Sequence, residues 1–164
     1  MLDIKTAPLK AWFRRNGGYL HDQVEIIPGR ETRTNWRGFS TKDSTLCKVP
    51  YTLSLSFLNA LVDEEYPAFY AVRHRLSPRL MGIFYLMLQR QLGNRSFWSP
   101  YIDALPQEDL VHEVWFEQPE DMKLLEGTDA YPRVTMSMKR YGCEFDAAMA
   151  CLEKAGMDVG IFTW

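Results

Sequence analysis

The clearest pattern in the chain is a stripe of apolar side chains that repeats at helical spacing near the end of the sequence. Its members are Val134, Met138, Tyr141, Phe145, Met149 and Leu152. Steps of three and four residues place these side chains on one face of an α-helix. Gly156 follows the stripe, and glycine is a common helix stop. The pattern therefore predicts a helix of about six turns that ends at Gly156.

A second helix is predicted over 78–92, and it is apolar on nearly every side. Ser77 is suited to cap it, Pro78 suits its first position, and Gly93 suits its stop. Its apolar residues are Leu80, Met81, Ile83, Phe84, Leu86, Met87, Leu88 and Leu92. A helix with so little polar surface is expected to lie at the centre of the fold.

The first third of the chain predicts a short helix followed by a small β region. Leu9, Trp12 and Phe13 have helical spacing, and glycines at 17 and 18 follow them as a stop. Short apolar runs next to turn residues predict strands at 23–27, 36–40 and 46–49. Weaker helical patterns cover 54–62 and 119–126, the second ending at a glycine. The predicted fold class is therefore α+β.

Length and charge limit the functions that this fold can serve. The chain has 164 residues, which is enough for one core. It carries 19 basic and 21 acidic residues, a net charge of −2, and this balance argues against a nucleic-acid or anionic-membrane partner. Its 5 Trp, 8 Tyr and 9 Phe must be covered by a core or by a partner, so a protein partner is an open alternative.

The cysteines and the hydrophobic runs indicate the compartment. Cys47, Cys143 and Cys151 are odd in number and have no C-x-x-C spacing, so neither a disulfide framework nor a zinc ribbon is predicted. Cys143 and Cys151 fall on the last predicted helix, where buried structural thiols are expected. Charges in 1–10 argue against a signal peptide, and no apolar run is long enough for a membrane span. An intracellular location, cytoplasmic or nuclear, is therefore expected.

The histidines do not assemble a catalytic or metal site. His112-Glu113 begins like a metalloprotease helix, but the position of the second histidine is occupied by Phe116. His21 and His74 have no carboxylate or cysteine at ligand spacing, and lone histidines are usually surface or hydrogen-bonded residues. No nucleophile elbow and no phosphate-binding loop occurs in the chain. No catalytic residue and no metal site is predicted.

The charged clusters also have simple interpretations. Asp63-Glu64-Glu65 is expected to be a solvated run, and Glu117, Glu120 and Asp121 form a favourable acidic start for a helix. Residues 30–42 are modestly basic. A solvated face is favoured there over an anion site, because no helix N-terminus converges on the region.

A more specific pattern follows the second helix. Residues 93–106 are GNRSFWSPYIDALP, which closely resembles the G-x-x-S-F-W-x-P-Y-x-x-x-L-P signature of SET-domain lysine methyltransferases related to Rubisco lysine methyltransferase. Phe97, Trp98, Pro100 and Tyr101 are expected to form an aromatic cluster that fixes the turn after the helix. On this interpretation the signature is a scaffold and not a catalytic group.

Other stretches are similar to the same family in the right order. Upstream, 12–19 with 24–26 resembles its first helix and strand, and 49–56 resembles its I-P-x-x-L-x-L-S segment. Downstream, 114–116 with 124–128 resembles its W-s-x-x-E-L-x-x-L-x-G-T segment. The apolar ending, 156–164, resembles the lead-in to the family's C-terminal half. The resemblance therefore covers essentially the whole chain.

The resemblance implies a single incomplete SET domain, 1–164, with the C-terminal half missing. Residues 1–62 would form a partial SET β fold of short strands, and 63–164 a large, mostly helical insert. Lacking the later strands, such a chain is expected to expose strand edges and apolar core, and so to self-associate. The expected partner is a protein, either a substrate or a binding partner, and not a nucleic acid or a membrane.

The activity implied by the resemblance is transfer of a methyl group from S-adenosylmethionine to a protein lysine. The family's glycine turn for this cofactor aligns with Arg37, Gly38 and Phe39, and Trp36 stands where the family has its first glycine. The family's Asn-His motif and catalytic tyrosine segment have no counterpart in this chain. A truncated or degenerate methyltransferase, inactive alone, is therefore expected, and the alternative is a non-enzymatic interaction module derived from the insert.

Overall fold

The computed structural model describes residues 6–22, 24–27, 33–36, 45–105 and 119–163. The helices are α1 (Thr6–Arg15), α2 (Phe57–Val62), α3 (Ala68–Ala71), α4 (Pro78–Leu92), α5 (Ser99–Ile102), α6 (Pro119–Lys123) and α7 (Ala130–Lys154). The strands are β1 (Tyr19–Leu20), β2 (Val24–Ile27), β3 (Arg33–Trp36) and β4 (Cys47–Lys48). Short 3-10 turns cover Tyr51–Leu53 and Gly93–Arg95. The protein is thus a mixed helix and sheet fold, in general agreement with the α+β prediction.

The described strands form two separate antiparallel pairs. β1 pairs with β4, with Tyr19 opposite Lys48, and β2 pairs with β3, with Val24 opposite Trp36. The strands predicted at 23–27 and 46–49 are confirmed in shorter form. The strand predicted at 36–40 begins instead at Arg33, because its start is set by pairing with β2 and not by its own apolar residues. Residues 37–40 lie outside the described part of the chain.

The chain divides into two compact units, each built from two separate stretches. Unit 1 joins Met1–Leu55 to Leu92–Leu110, and unit 2 joins Ser56–Gln91 to Val111–Trp164. The boundary proposed from the resemblance, at 62/63, stays a prediction.

Unit 1 begins with α1, whose end is fixed by two glycines. Gly17 has a φ of +83°, which a residue with a Cβ rarely adopts. Asn16 then donates from Nδ2 to the carbonyl oxygen of Trp12 at 2.7 Å, which satisfies one of the last helical acceptors. The predicted helix with a glycine stop is confirmed. It delivers the chain directly to β1.

Gly18 is required for a different reason, since the ring of Phe13 lies against it. A Cβ on residue 18 would stand 2.5 Å from ring carbons of Phe13. We expect Gly18→Ala to lower the free energy of unfolding by about 1–3 kcal/mol, because the ring must move from its packed position. Urea unfolding followed by circular dichroism measures this effect.

Gly142 is the matched control for that substitution. A Cβ built on this α7 residue meets no atom within 4 Å. Because alanine is the better helix former, Gly142→Ala should raise the free energy of unfolding by about 0.5–1 kcal/mol. Equal effects of the two substitutions would contradict the close approach of Phe13 to Gly18.

Unit 2 is organised around α4, as its apolar sequence predicts. Its buried residues are Met81, Phe84, Tyr85, Leu88 and Gln89. Ser77 begins the helix by accepting a hydrogen bond at Oγ from the Leu80 amide at 3.2 Å. Gly93, with a φ of +53°, follows its last residue. The predicted start and end are both confirmed.

Phe84 is the centre of the apolar packing in unit 2. It is 1% exposed, and its ring stacks on Phe145 of α7 at 5.4 Å. Phe162 packs edge-on against it at 5.0 Å and is itself 5% exposed. Phe162, in the apolar ending of the chain, therefore contributes a buried ring to this core.

The prediction that the acidic run 63–65 is solvated is wrong for Asp63, which binds Tyr85. The Tyr85 hydroxyl donates to Asp63 Oδ2 at 2.8 Å, while Asp63 Oδ1 accepts from the Glu65 amide at 3.0 Å. Asp63 is half-buried, and only Glu64 and Glu65 are exposed. The run is thus a solvated turn whose first carboxylate holds a buried tyrosine. Such a bond between distant segments cannot be inferred from the acidic run alone.

The apolar stripe lies on the long helix α7 as predicted, but it is only partly buried. Gly156, with a φ of +86°, ends the helix, and the Met157 amide donates back to the Leu152 carbonyl at 3.1 Å. The buried α7 residues are Ala148 and Leu152. Met138, in the first half of the stripe, is 36% exposed. Among the described residues, no helix is both long and apolar enough to cross a membrane.

Candidate functional site

The residues predicted to contact S-adenosylmethionine lie outside the described part of the chain. Arg37, Gly38 and Phe39 all fall between β3 and the next described residue, Thr45. The His112-Glu113 pair and Glu117 also lie outside the described ranges. Those predictions stay predictions.

The described titratable residues form no metal centre. Over the described ranges, no group of three or more His, Cys, Asp or Glu residues is positioned to hold a metal ion. His74 is exposed and His21 is half-buried. The expectation of buried thiols on α7 is wrong for Cys143, which is exposed. It lies nine residues after Val134, a spacing that puts it on the side of the helix opposite the stripe.

The signature segment forms an aromatic cluster with the first helix. We define this aromatic cluster as Trp12, Phe97 and Trp98. The Trp12 ring lies 5.4 Å from Phe97 and 5.9 Å from Trp98, and Phe97 and Trp98 meet edge-on at 5.1 Å. Trp98 is 5% exposed, whereas Phe97 is 51% exposed. The cluster is therefore anchored by Trp98 and open on the Phe97 side.

A tight turn holds the two signature rings in place. Ser96 is buried, its amide donates to the Gly93 carbonyl at 2.9 Å, and its Oγ accepts from the Trp98 amide at 3.0 Å. Pro100 follows near the start of α5, where a missing amide hydrogen costs little. These signature positions serve to shape the backbone. They support the prediction that the motif is a scaffold.

One donor in the cluster lacks a partner. Trp12 Nε1 is buried and has no acceptor in the part of the chain that the structure describes. An unpaired buried donor costs about 1–3 kcal/mol. Within the described residues, the indole of Trp12 therefore contributes to the cluster through its ring contacts and not through a hydrogen bond.

A second feature, in unit 2, is an apolar groove between α4 and α7. We call it the α4/α7 groove; its volume is about 250 Å³. The lining residues are Arg79, Leu80, Ile83 and Phe84 of α4 with Tyr141, Glu144 and Phe145 of α7. Ile83 is 42% exposed although it lies on the central helix. The groove therefore presents apolar side chains to solvent.

Charged groups define one wall of the groove. Arg79 forms an ion pair with Glu144 across it, and the Arg79 guanidinium carbon lies 5.7 Å from the Tyr141 ring. Arg140 approaches the same ring at 5.0 Å. An apolar floor beside fixed charges can accept an apolar side chain and orient the polar chain around it. The groove is therefore a candidate binding site.

The sequence predicts the apolar residues that line the groove but not the groove itself. Ile83 lies in the predicted central helix, and Tyr141 and Phe145 lie in the predicted stripe. The sequence pattern does not show that these two surfaces leave a gap between them.

Comparison of the chain with protein-family models, curated proteins and solved structures finds no match in any of the three.

Proposed function

We propose that the chain is a portion of a SET-domain protein-lysine methyltransferase and does not transfer methyl groups by itself. The observation that carries the proposal is the contact of Trp12 with Phe97 and Trp98. The two stretches are far apart in sequence, and each belongs to the family resemblance. Packing into one cluster is what a shared scaffold role for the two stretches would require.

The chemistry implied by the family explains why this chain would be inactive alone. A lysine Nζ must lose its proton and then form a bond to the methyl carbon as the carbon–sulfur bond of S-adenosylmethionine breaks. Alignment and exclusion of water supply most of the rate in such an in-line displacement. The chain contains no Asn-His dipeptide, so the family's cofactor motif has no counterpart here. The role left to this chain is to shape the fold.

The test is a replacement in a working enzyme. Residues 1–164 replace the corresponding N-terminal part of an active methyltransferase of the Rubisco lysine methyltransferase-like group, and binding of tritiated S-adenosylmethionine and lysine methylation are measured. The chimaera is expected to bind the cofactor, and the chain alone is expected to show neither binding nor transfer. A second chimaera carrying Trp36→Gly should bind more tightly, because a smaller residue lets the backbone approach the cofactor.

The experiment tests the inactivity of the chain alone and the family assignment separately. Methyl transfer by the chain alone would overturn its inactivity. A chimaera that folds, as judged by circular dichroism, but binds no cofactor with either residue at 36 would overturn the family assignment.

A second candidate function is supported by the α4/α7 groove. The open apolar floor around Ile83 favours a non-enzymatic interaction module. This candidate requires no cofactor. A specific partner in the groove, together with failure of both chimaeras, would favour it over the methyltransferase proposal.

A further inference from the structure

The α4/α7 groove is followed along α7 by a partly exposed apolar stripe. Val134 is half-buried, Met138 is 36% exposed, and both precede Tyr141 on the same helical face. From Val134 to Phe145 the stripe is roughly 16 Å long, since each helical residue rises 1.5 Å. This length corresponds to about three turns of a bound helix. Stripe and groove together form one elongated surface, which we call the α7 face.

The first half of α7 is basic although the whole chain has a net charge of −2. Residues 130–143 of α7 contain three basic and no acidic residues: Arg133, Lys139 and Arg140. The next acidic residues of α7 are Glu144, which pairs with Arg79, and Asp146. Around the helix, Arg133 and Arg140 lie on one side of the stripe and Lys139 on the other, each about 80–100° from the nearest stripe residue. Their long side chains can carry the charge back to the edge of the stripe, as Arg140 does at 5.0 Å from the Tyr141 ring.

We propose that the α7 face binds an acidic amphipathic helix of a protein partner. An apolar side chain of that helix would insert between Ile83 and Tyr141, and carboxylates on its flanks would face Arg133, Lys139 and Arg140. This is the helix-in-groove mode of recognition, in which apolar anchors recur at three- and four-residue spacing. Complementary charge fixes the orientation and speeds encounter. The inference rests on the interaction-module candidate and names its partner.

Two other occupants fit this face less well. In a symmetric dimer the same surface meets itself, so the basic residues of one copy would face those of the other. A membrane would contact a flat or convex apolar surface, whereas the groove of about 250 Å³ is concave and suits an inserted side chain. Charge and shape therefore favour the acidic helix.

The experiment uses the full chain and a fluorescein-labelled peptide of about 18 residues, or about five helical turns. Leucines occupy one face of the peptide and glutamates the remainder. A scrambled peptide keeps the composition but loses the apolar face, and a third peptide replaces glutamate with lysine. Fluorescence anisotropy is expected to show saturable binding of the first peptide only, with affinity falling as salt increases.

Two variants locate the site. Ile83→Glu and the double variant Arg133→Glu/Arg140→Glu should each weaken binding of the acidic peptide about tenfold or more. The double variant should also gain affinity for the lysine peptide, which a merely unfolded protein would not do. Arg75→Glu, an exposed charge reversal outside both helices, should change affinity less than about twofold at physiological salt.

Several results would overturn the proposal. One is equal binding of the scrambled peptide, and another is binding that neither groove variant reduces. Dimerisation seen by analytical ultracentrifugation and abolished by Ile83→Glu would assign the face to a second copy. Binding to phosphatidylserine vesicles, without peptide binding, would assign it to lipid. None of these results depends on S-adenosylmethionine, so they are distinguishable from failure of the chimaera test.

Discussion

Phe84→Ala should lower the free energy of unfolding by about 3–5 kcal/mol, because it leaves a ring-sized cavity at the centre of unit 2. Phe84 is 1% exposed and contacts rings from α7 and from the segment after it, Phe145 and Phe162. Both partners would lose contact area together. Urea unfolding followed by circular dichroism gives the stability change, and hydrogen exchange of α4 and α7 shows where protection falls.

The control is Ile83→Ala on the same helix. Ile83 is 42% exposed, and alanine is the better helix former, so this substitution should cost less than about 1 kcal/mol. A similar loss for both variants, or unchanged protection of α7 in Phe84→Ala, would show that the three phenylalanine rings do not hold unit 2 together.

Trp98→Ala is the second substitution with a large expected effect. Trp98 is the most buried ring of the aromatic cluster, at 5% exposed against 51% for Phe97, and it contacts both Trp12 and Phe97. Loss of a buried tryptophan costs about 3–5 kcal/mol. Amide protection in α1 should fall as well, since Trp12 packs α1 onto the cluster. The measurements are urea unfolding and hydrogen exchange of α1.

Phe97→Ala is the matched control within the signature. Because Phe97 is 51% exposed, its removal should cost about 1 kcal/mol. A larger loss of stability for Trp98→Ala than for Phe97→Ala would agree with the interpretation of the signature as a scaffold. If Phe97→Ala were the more damaging of the two, the motif would hold the fold by contacts other than those of the cluster.

The four-residue helices α3 and α5 were not predicted, but the ends of the helices with a clear apolar pattern were largely predictable because they are set locally. Ser77 and Pro78 determine the start of α4 through a hydrogen bond to the backbone and a fixed φ. Gly17, Gly127 and Gly156 all adopt positive φ where a stop was expected. Each of these effects involves only residues within one or two turns, so the sequence contains the required information.

Burial was less predictable, since it depends on what lies opposite each face. The stripe of α7 has correct helical spacing, yet Met138 is open to solvent while Leu152 is fully buried. The start of β3 and the bond from Tyr85 to Asp63 both depend on partners distant in sequence. The groove follows from the same cause, because a gap between α4 and α7 is a property of two surfaces and of neither alone.

Because unit 1 is built from two separate stretches, it cannot complete its aromatic cluster until both have left the ribosome. Trp12 leaves the exit tunnel well before Trp98 does, and at 5–20 residues per second the interval is roughly 4–17 s. Until then Trp12 lacks the two rings against which it packs, and closing so long an intervening loop carries an entropic cost. The nascent chain is therefore expected to be a chaperone client during this interval, with release coupled to the emergence of the tryptophan that completes the cluster.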